Sequence, residues 1–310
     1  TMMSYFDAWA TGATHFVDLP YNERFASTPL LHDIAAIQRL YGANMTTRTG
    51  DTVYGFNSTA DRAPFDFTTN VDPIVAIWDA GGTHDVLDVS GYTNNQVIDL
   101  RAGAFSDIGR LTKNVAIAEG ATIEDARGGS GNDSMLGNEV ANILNGNAGN
   151  DSLRGLEGAD TIAGGSGRDS LYGGIGNDAV FGGADDDVVY GGLGNDRLTG
   201  GAGSDAFVFN SLPNGATNRD QIVDFNAVDD VMNIENFVFK ALGVATGGLA
   251  AGKFWSSSTG AAHDADDRIV YNKTTGVLIY DANGSAAGGA VALATLLNHA
   301  VITAADFLVI

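Results

Sequence analysis

The chain contains no cysteine, so no disulfide can staple it. Positive charge is scarce: 16 Lys and Arg stand against 38 Asp and Glu, for a formal net charge of −22 and a sequence pI near 4.2. That balance argues against nucleic acid and anionic membrane surfaces as partners. No run is long and apolar enough to insert into a membrane, and no signal peptide is legible after Thr1. Of the five histidines (His15, His32, His84, His263 and His299) none is followed by glutamate and no two are near neighbours. The His-Glu-x-x-His zinc pattern is therefore absent from these residues, and each histidine reads as a surface or loop residue. A Gly-x-Ser-x-Gly nucleophile elbow is absent too, because Gly128-Gly129-Ser130-Gly131 and Gly165-Ser166-Gly167 belong to a different pattern.

That pattern is a repeat. Nine consecutive nine-residue frames fill residues 128–208, each approximating glycine-glycine-x-glycine-x-aspartate-x-apolar-x. The eighth position reads Met135, Leu144, Leu153, Ile162, Leu171, Val180, Val189, Leu198 and Phe207, all apolar. The sixth is aspartate in eight frames and Asn142 in the other. A flexible glycine linker has no reason to place an apolar residue at every ninth position.

The spacing points to calcium. Glycines adopt positive φ readily and form tight loops whose carbonyls converge, and calcium takes six to eight oxygens from carboxylates and carbonyls. One loop supplies too few, so the expectation is stacked loops with a cation between them. Each x-apolar-x tail is expected to form a short strand with its apolar side chain inward, and two frames to make one turn of 18 residues. One edge then carries Asp133, Asp151, Asp169, Asp187 and Asp205, the other Asn142, Asp160, Asp178 and Asp196. The candidate loop ligands beside them are Gly146 and Ala148; Gly155 and Gly158; Gly164, Gly165 and Gly167; Gly173, Gly174 and Gly176; and Gly191, Gly192 and Gly194. Without metal the carboxylates repel, so the roll is expected to be largely unfolded in chelator. Asn142, with Val140 in place of the third glycine, is expected to bind weakly or not at all. Asn138, Asn147 and Leu156 replace second glycines, and Asp185 a third, where aspartate tolerates left-handed backbone.

Outside the frames, Leu30, Leu31, Ile34, Ile37, Leu40 and Tyr41 space as an amphipathic helix, with Thr28 as N-cap, Pro29 at its first position and Gly42 as its end. Residues 46–125 and 206–310 read as strands and loops. They include a hairpin of residues 268–271 and 277–280 around a Thr-Gly turn. The Gly, Ala and Ser-rich stretch 243–262 reads as loop.

The repeats resemble the RTX calcium-binding family, exported by type I secretion from Gram-negative bacteria, and the flanks narrow the resemblance. Met3-Ser4-Tyr5 is similar to the Met-turn of the serralysin zinc metalloproteases. Residues 33–42 resemble the helix that closes their catalytic domain. Residues 51–57 and Trp78-Asp79-Ala80-Gly81-Gly82 resemble their entry into the roll. The resemblance implies that Met3 underlies the zinc site and that Tyr5 is an auxiliary zinc ligand stabilising the transition state. It further implies calcium ligands at Arg48, Gly50, Thr52, Asp79, Gly81, Gly82 and Asp85, with one extra residue in Thr83-His84. A set at Thr122, Glu124, Gly129, Gly131 and Asp133, and a later site at Asp220, Asp224 and Asp230, are implied as well. The acidic-then-apolar tail 306–310 resembles the uncleaved secretion signal, placed near 290–310.

The expected fold is mostly β: a parallel β-roll within a β-sandwich-like C-terminal domain spanning 46–310, preceded over 1–45 by the Met-turn and last helix of a metzincin catalytic domain. The resemblance implies the C-terminal part of a secreted zinc metalloendopeptidase acting on protein substrates, its N-terminal catalytic portion lying elsewhere. The alternative is a stand-alone RTX calcium module for secretion or surface attachment, which leaves residues 1–45 unexplained. Upstream sequence separates the two.

Overall fold

The computed structural model describes residues 30–310. Met3, Tyr5, His15, Thr28 and Pro29 lie outside the described residues. The chain divides into two compact units, residues 1–153 and 154–310.

In the first unit the helix runs Leu31–Tyr41. It stops where Gly42 takes φ +80° and donates its N–H to Gln38 O at 2.8 Å, a left-handed stop that glycine adopts without strain. Its apolar stripe is short. Leu31 is buried among Ala76, Ala116 and Ala118, with Ile34, Trp78 and Phe105 packed around them. Strands of three residues follow, because turns interrupt every apolar run. Val53–Gly55, Val86–Asp88, Asp125–Arg127 and Ile143–Ala148 pair in parallel in that order. Val97–Asp99 pairs in parallel with Ser134–Leu136. Val75–Ile77 pairs in parallel with Val115–Ile117, which also pairs antiparallel with Phe105–Ser106.

The second unit holds the regular part of the roll. Thr161–Ser166, Ala179–Ala184, Arg197–Ala202 and Asp220–Ile222 form one parallel run, extended by Ala290–Leu296. Ser170–Ile175, Val188–Leu193, Ala206–Phe209, Val231–Ile234 and Phe307–Val309 form the other. Partners within the repeats are 18 residues apart, as in Ile162↔Val180 and Leu171↔Val189, so one turn is two frames. The eighth-position side chains Ile162, Leu171, Val180, Val189 and Leu198 are 0–1% exposed. Each contributes roughly 2 kcal/mol by leaving water.

Two details differ from the sequence reading. The strands are six residues long rather than three, since paired glycines such as Gly174↔Gly192 prolong the ladder into the next frame. Phe254–Ser257, inside the stretch expected as loop, is a strand parallel to Ile269–Asn272. The hairpin forms as expected, Ile269 facing Tyr280 and Gly276 at φ +72°.

Candidate metal centre

The sixth position of each frame is the corner where strand follows loop, and there the side chains form ladders. The Asp160 N–H donates to Asp178 Oδ1 at 2.9 Å, Asp178 N–H to Asp196 Oδ1 at 2.9 Å, and Asp196 N–H to Asp220 Oδ1 at 3.2 Å. The opposite edge repeats this: Asp169 to Asp187 at 2.8 Å, Asp187 to Asp205 at 2.9 Å and Asp205 to Asp230 at 3.0 Å. One carboxylate oxygen per rung is thereby fixed. The other, Oδ2 of Asp178, Asp187, Asp196 and Asp205, is buried with no hydrogen-bond partner. Buried polar atoms are normally satisfied, and a charged one without a partner is costly.

The second carboxylate oxygen faces other oxygens. A Cβ built on Gly164, Gly173 or Gly182 would collide with Oδ2 of Asp169, Asp178 or Asp187 respectively, and with the carbonyl of Gly182, Gly191 or Gly200 one turn on. Carboxylate and carbonyl thus converge on a gap that only glycine leaves open. Gly174, Gly176, Gly192 and Gly194 have positive φ, and a Cβ on them would collide with the carbonyls of Leu156, Gly158, Gly174 and Gly176. Gly165 fills the same role under Gly183. Gly155 faces Asp160, Gly167 N–H donates to Ala184 O, and Gly158 N–H donates to Ile175 O.

Electrostatics agrees with the geometry. Burial pushes the carboxyls of Asp178 and Asp187 up to about 7, and that of Asp205 to about 6, with neighbouring aspartates raising them further. Such groups call for a positive partner. An all-oxygen donor set of carboxylates and carbonyls suits a hard divalent cation of calcium's kind, so the residues present fit that ion.

The first unit has ladders of the same kind, partly outside the repeat frames. Thr52 N–H donates to Asp85 Oδ1 at 2.6 Å, and Asp85 N–H to Glu124 Oε2 at 2.8 Å. Gln96 N–H donates to Asp133 Oδ1 at 2.7 Å, and Asp133 N–H to Asp151 Oδ1 at 2.7 Å. Asp85 Oδ2 is buried without a hydrogen-bond partner, and burial, then the charges of Asp79 and Glu124, push its carboxyl to about 7. Gly82 lies against that carboxylate. Asp79 accepts from Gly81 N–H at 3.0 Å and from the Tyr54 hydroxyl at 2.6 Å. Gly50 O accepts from the Thr52 hydroxyl at 3.0 Å. The Arg48 side chain turns to Trp78 O at 2.8 Å, while its backbone has φ +52°. Thr122 precedes Glu124 by two residues and is exposed. Asp133 Oδ2 accepts from Gly129 N–H at 2.8 Å, Gly131 abuts the Asn94 backbone, Gly146 O faces Gly128, and Ala148 N–H donates to Gly129 O.

Asp220, Asp224 and Asp230 do not gather at one point. Asp220 closes the Asp196 edge and Asp230 the Asp205 edge, while Asp224 accepts from Gly200 and Gly201 N–H at 3.0 Å each. The sequence reading also missed degenerate frames. Residues 119–127, 215–223 and 225–233 keep a carboxylate at position six (Glu124, Asp220, Asp230) and a buried apolar residue at position eight (Ala126, Ile222, Met232). Insertions of residues 209–214 and 224 break the count of nine. A second ladder runs at position five, where Asn195 N–H donates to Asn177 Oδ1 and Asn150 N–H to Asn132 Oδ1. Among the described residues, His263, Asp264 and Asp267 also approach one another. There Asp267 Oδ2 already accepts from both backbone amides of the loop, and His263 stacks on Trp255, a loop closure rather than an oxygen cradle.

The family model described as Peptidase M10 serralysin C terminal matches residues 43–308. The chain belongs to this serralysin family. Serralysin C of Dickeya chrysanthemi is 56% identical over 140 residues, which cover 44% of this chain and 27% of that protein. Metalloprotease AprA of Pseudomonas entomophila (strain L48) is 52% identical over 145 residues, 46% of this chain and 29% of the relative. Serralysin of Proteus mirabilis is 52% identical over 145 residues, 46% and 28%. The chain therefore spans under a third of the length of the serralysins it matches. No helix among the described residues is long and apolar enough to cross a membrane.

Proposed function

We propose that this chain is the C-terminal part of a secreted serralysin-type zinc metalloendopeptidase, and that its β-roll binds several calcium ions that drive folding after type I export. Residues 1–45 are then the end of the catalytic domain, and 46–310 the calcium domain. The observation that carries the calcium reading is the row of buried Oδ2 atoms at Asp178, Asp187, Asp196 and Asp205, each without a hydrogen-bond partner, those of Asp178 and Asp187 facing the carbonyls of Gly191 and Gly200. The ligands proposed there are the sixth-position aspartates with the loop carbonyls beside them. Asp79, Asp85 and Glu124 form the proposed acidic set at the N-terminal end of the roll.

Family membership supports the protease reading. Zinc in the complete enzyme supplies an activated water, but the five histidines of this chain do not fit a zinc site, and no catalytic step is assigned to these residues. The chain's own work is structural. The glycine loops bring carbonyl oxygens to the carboxylates, the apolar spine holds the turns in register, and bound cations offset the negative charge.

Equilibrium dialysis against calcium tests the reading. The wild-type chain is expected to bind several ions, and Asp178→Asn about one fewer, because an amide nitrogen replaces the free oxygen. An unchanged calcium count in Asp178→Asn would remove that aspartate from the site. No bound calcium at all would sink the proposal.

A further inference from the structure

One rung of the roll is built differently. In the frame that begins at Gly137, Asn138 and Asn142 occupy the second and sixth positions, and both side chains are buried. Asn142 Oδ1 accepts from Asn138 N–H at 2.8 Å. Its Nδ2 donates to Glu124 O at 2.8 Å and to Asn138 Oδ1 at 2.9 Å. Asn138 Nδ2 donates in turn to Ile123 O at 2.9 Å and Leu100 O at 3.3 Å, and Asn138 Oδ1 accepts from Val140 N–H at 3.1 Å.

The contrast with Asp178 is chemical. There Oδ2 is buried without a hydrogen-bond partner and faces the Gly191 carbonyl. Here the sixth-position side chain is an amide whose nitrogen gives both hydrogens to acceptors directly, so no atom of it is left for a cation to satisfy. The pair is neutral, so burying it carries no charge penalty. Every carbonyl it binds belongs to the chain before the frame: Leu100, Ile123 and Glu124.

We propose that Asn138 and Asn142 form a metal-independent rung that fastens the start of the repeats to residues 100–124, so that this end of the roll is set before calcium arrives and templates the calcium-dependent turns. The pair are positioning residues for the cation sites that follow, not ligands. The inference rests on the calcium reading of the aspartate ladders. Its physical basis is cooperativity: adding a turn to an existing edge costs less entropy than nucleating one.

Hydrogen exchange read by mass spectrometry on the full 310-residue chain, with excess chelator and with saturating calcium, tests it. In chelator, amides of residues 138–143 are expected to exchange at least about tenfold more slowly than those of residues 160–205. Asn142→Asp is expected to lose that protection in chelator, since it brings a charge and no donor, while its residues 160–205 remain protected in calcium, which shows that the variant folds. Residues 138–143 exchanging as fast as the repeats in chelator, or Asn142→Asp keeping wild-type protection there, would overturn the rung. Equal protection of residues 160–205 with and without calcium would instead overturn the calcium reading beneath it.

Discussion

A carboxylate oxygen buried without a donor is the residue-level fact on which the rest depends. The sixth-position side chain separates two kinds of rung: Asp178, whose Oδ2 is buried without a hydrogen-bond partner, and Asn142, whose oxygen and nitrogen are both hydrogen-bonded. The sequence made Asn142 legible as a departure, but not its bonding, because its acceptor Glu124 O, and the acceptors Leu100 O and Ile123 O of its partner Asn138, lie upstream of the frame. Glycine replacements were legible in part. Asp185 takes φ +74° and Asn147 φ +71°, both in the left-handed region those residues tolerate. Leu156 takes φ +85°, which costs a branched, apolar residue about 1 kcal/mol or more. Leu156→Gly is therefore expected to raise the thermal midpoint in calcium by relieving that strain, measured by calorimetry. A lowered midpoint would show that Leu156 contributes more by packing than it loses in its backbone.

At the scale of strands and turns, the period of nine located the regular elements because the apolar eighth position recurs without interruption over residues 128–208 and the acidic sixth fails only at Asn142. It failed where the turns continue but the spacing does not. Asp220–Ile222 and Val231–Ile234 add to the roll after insertions that shift the frame, held by backbone pairing and by the Asp220 and Asp230 carboxylates. The hairpin 269–281 was legible from its alternating apolar residues and glycine turn. Phe254–Ser257 was not, since Ser and Gly around it carry no strand signal and its partner supplies the order.

The ladders also set a pH dependence. Folding raises the carboxyls of Asp178, Asp187 and Asp205 from 3.8 to between about 6 and about 7. For acids so raised, the metal-free folded state is favoured fully below the unfolded value and loses that advantage as pH rises through the folded value. In chelator, β-structure measured by circular dichroism is expected to grow as pH falls from about 8 to about 5, protons standing in for cations. In saturating calcium no such gain is expected. A flat response in chelator would mean that these carboxylates do not limit folding.

For the whole molecule, a net charge of −22 without cysteine leaves the repeats, residues 128–208, to be held by bound cations and the apolar spine. The spine is one side chain wide per strand, so the cations are the larger requirement. The tail 306–310, proposed as the secretion signal, forms the last strand: Phe307 and Val309 are buried, and Ile310 N–H donates to Ile234 O at 3.0 Å. An exporter that reads this tail must read it before the roll closes, which fits folding by calcium outside the cell. The catalytic assignment was legible only through resemblance at Met3 and Tyr5, outside the described residues, and local physics does not reach it.

The most direct test is far-ultraviolet circular dichroism of the full chain in chelator and then through a calcium titration, with magnesium as control. Weak β-signal in chelator, restored cooperatively by calcium and not by magnesium, is the result predicted if cations on the two aspartate ladders hold the roll together. The same β-signal in chelator as in calcium would contradict it.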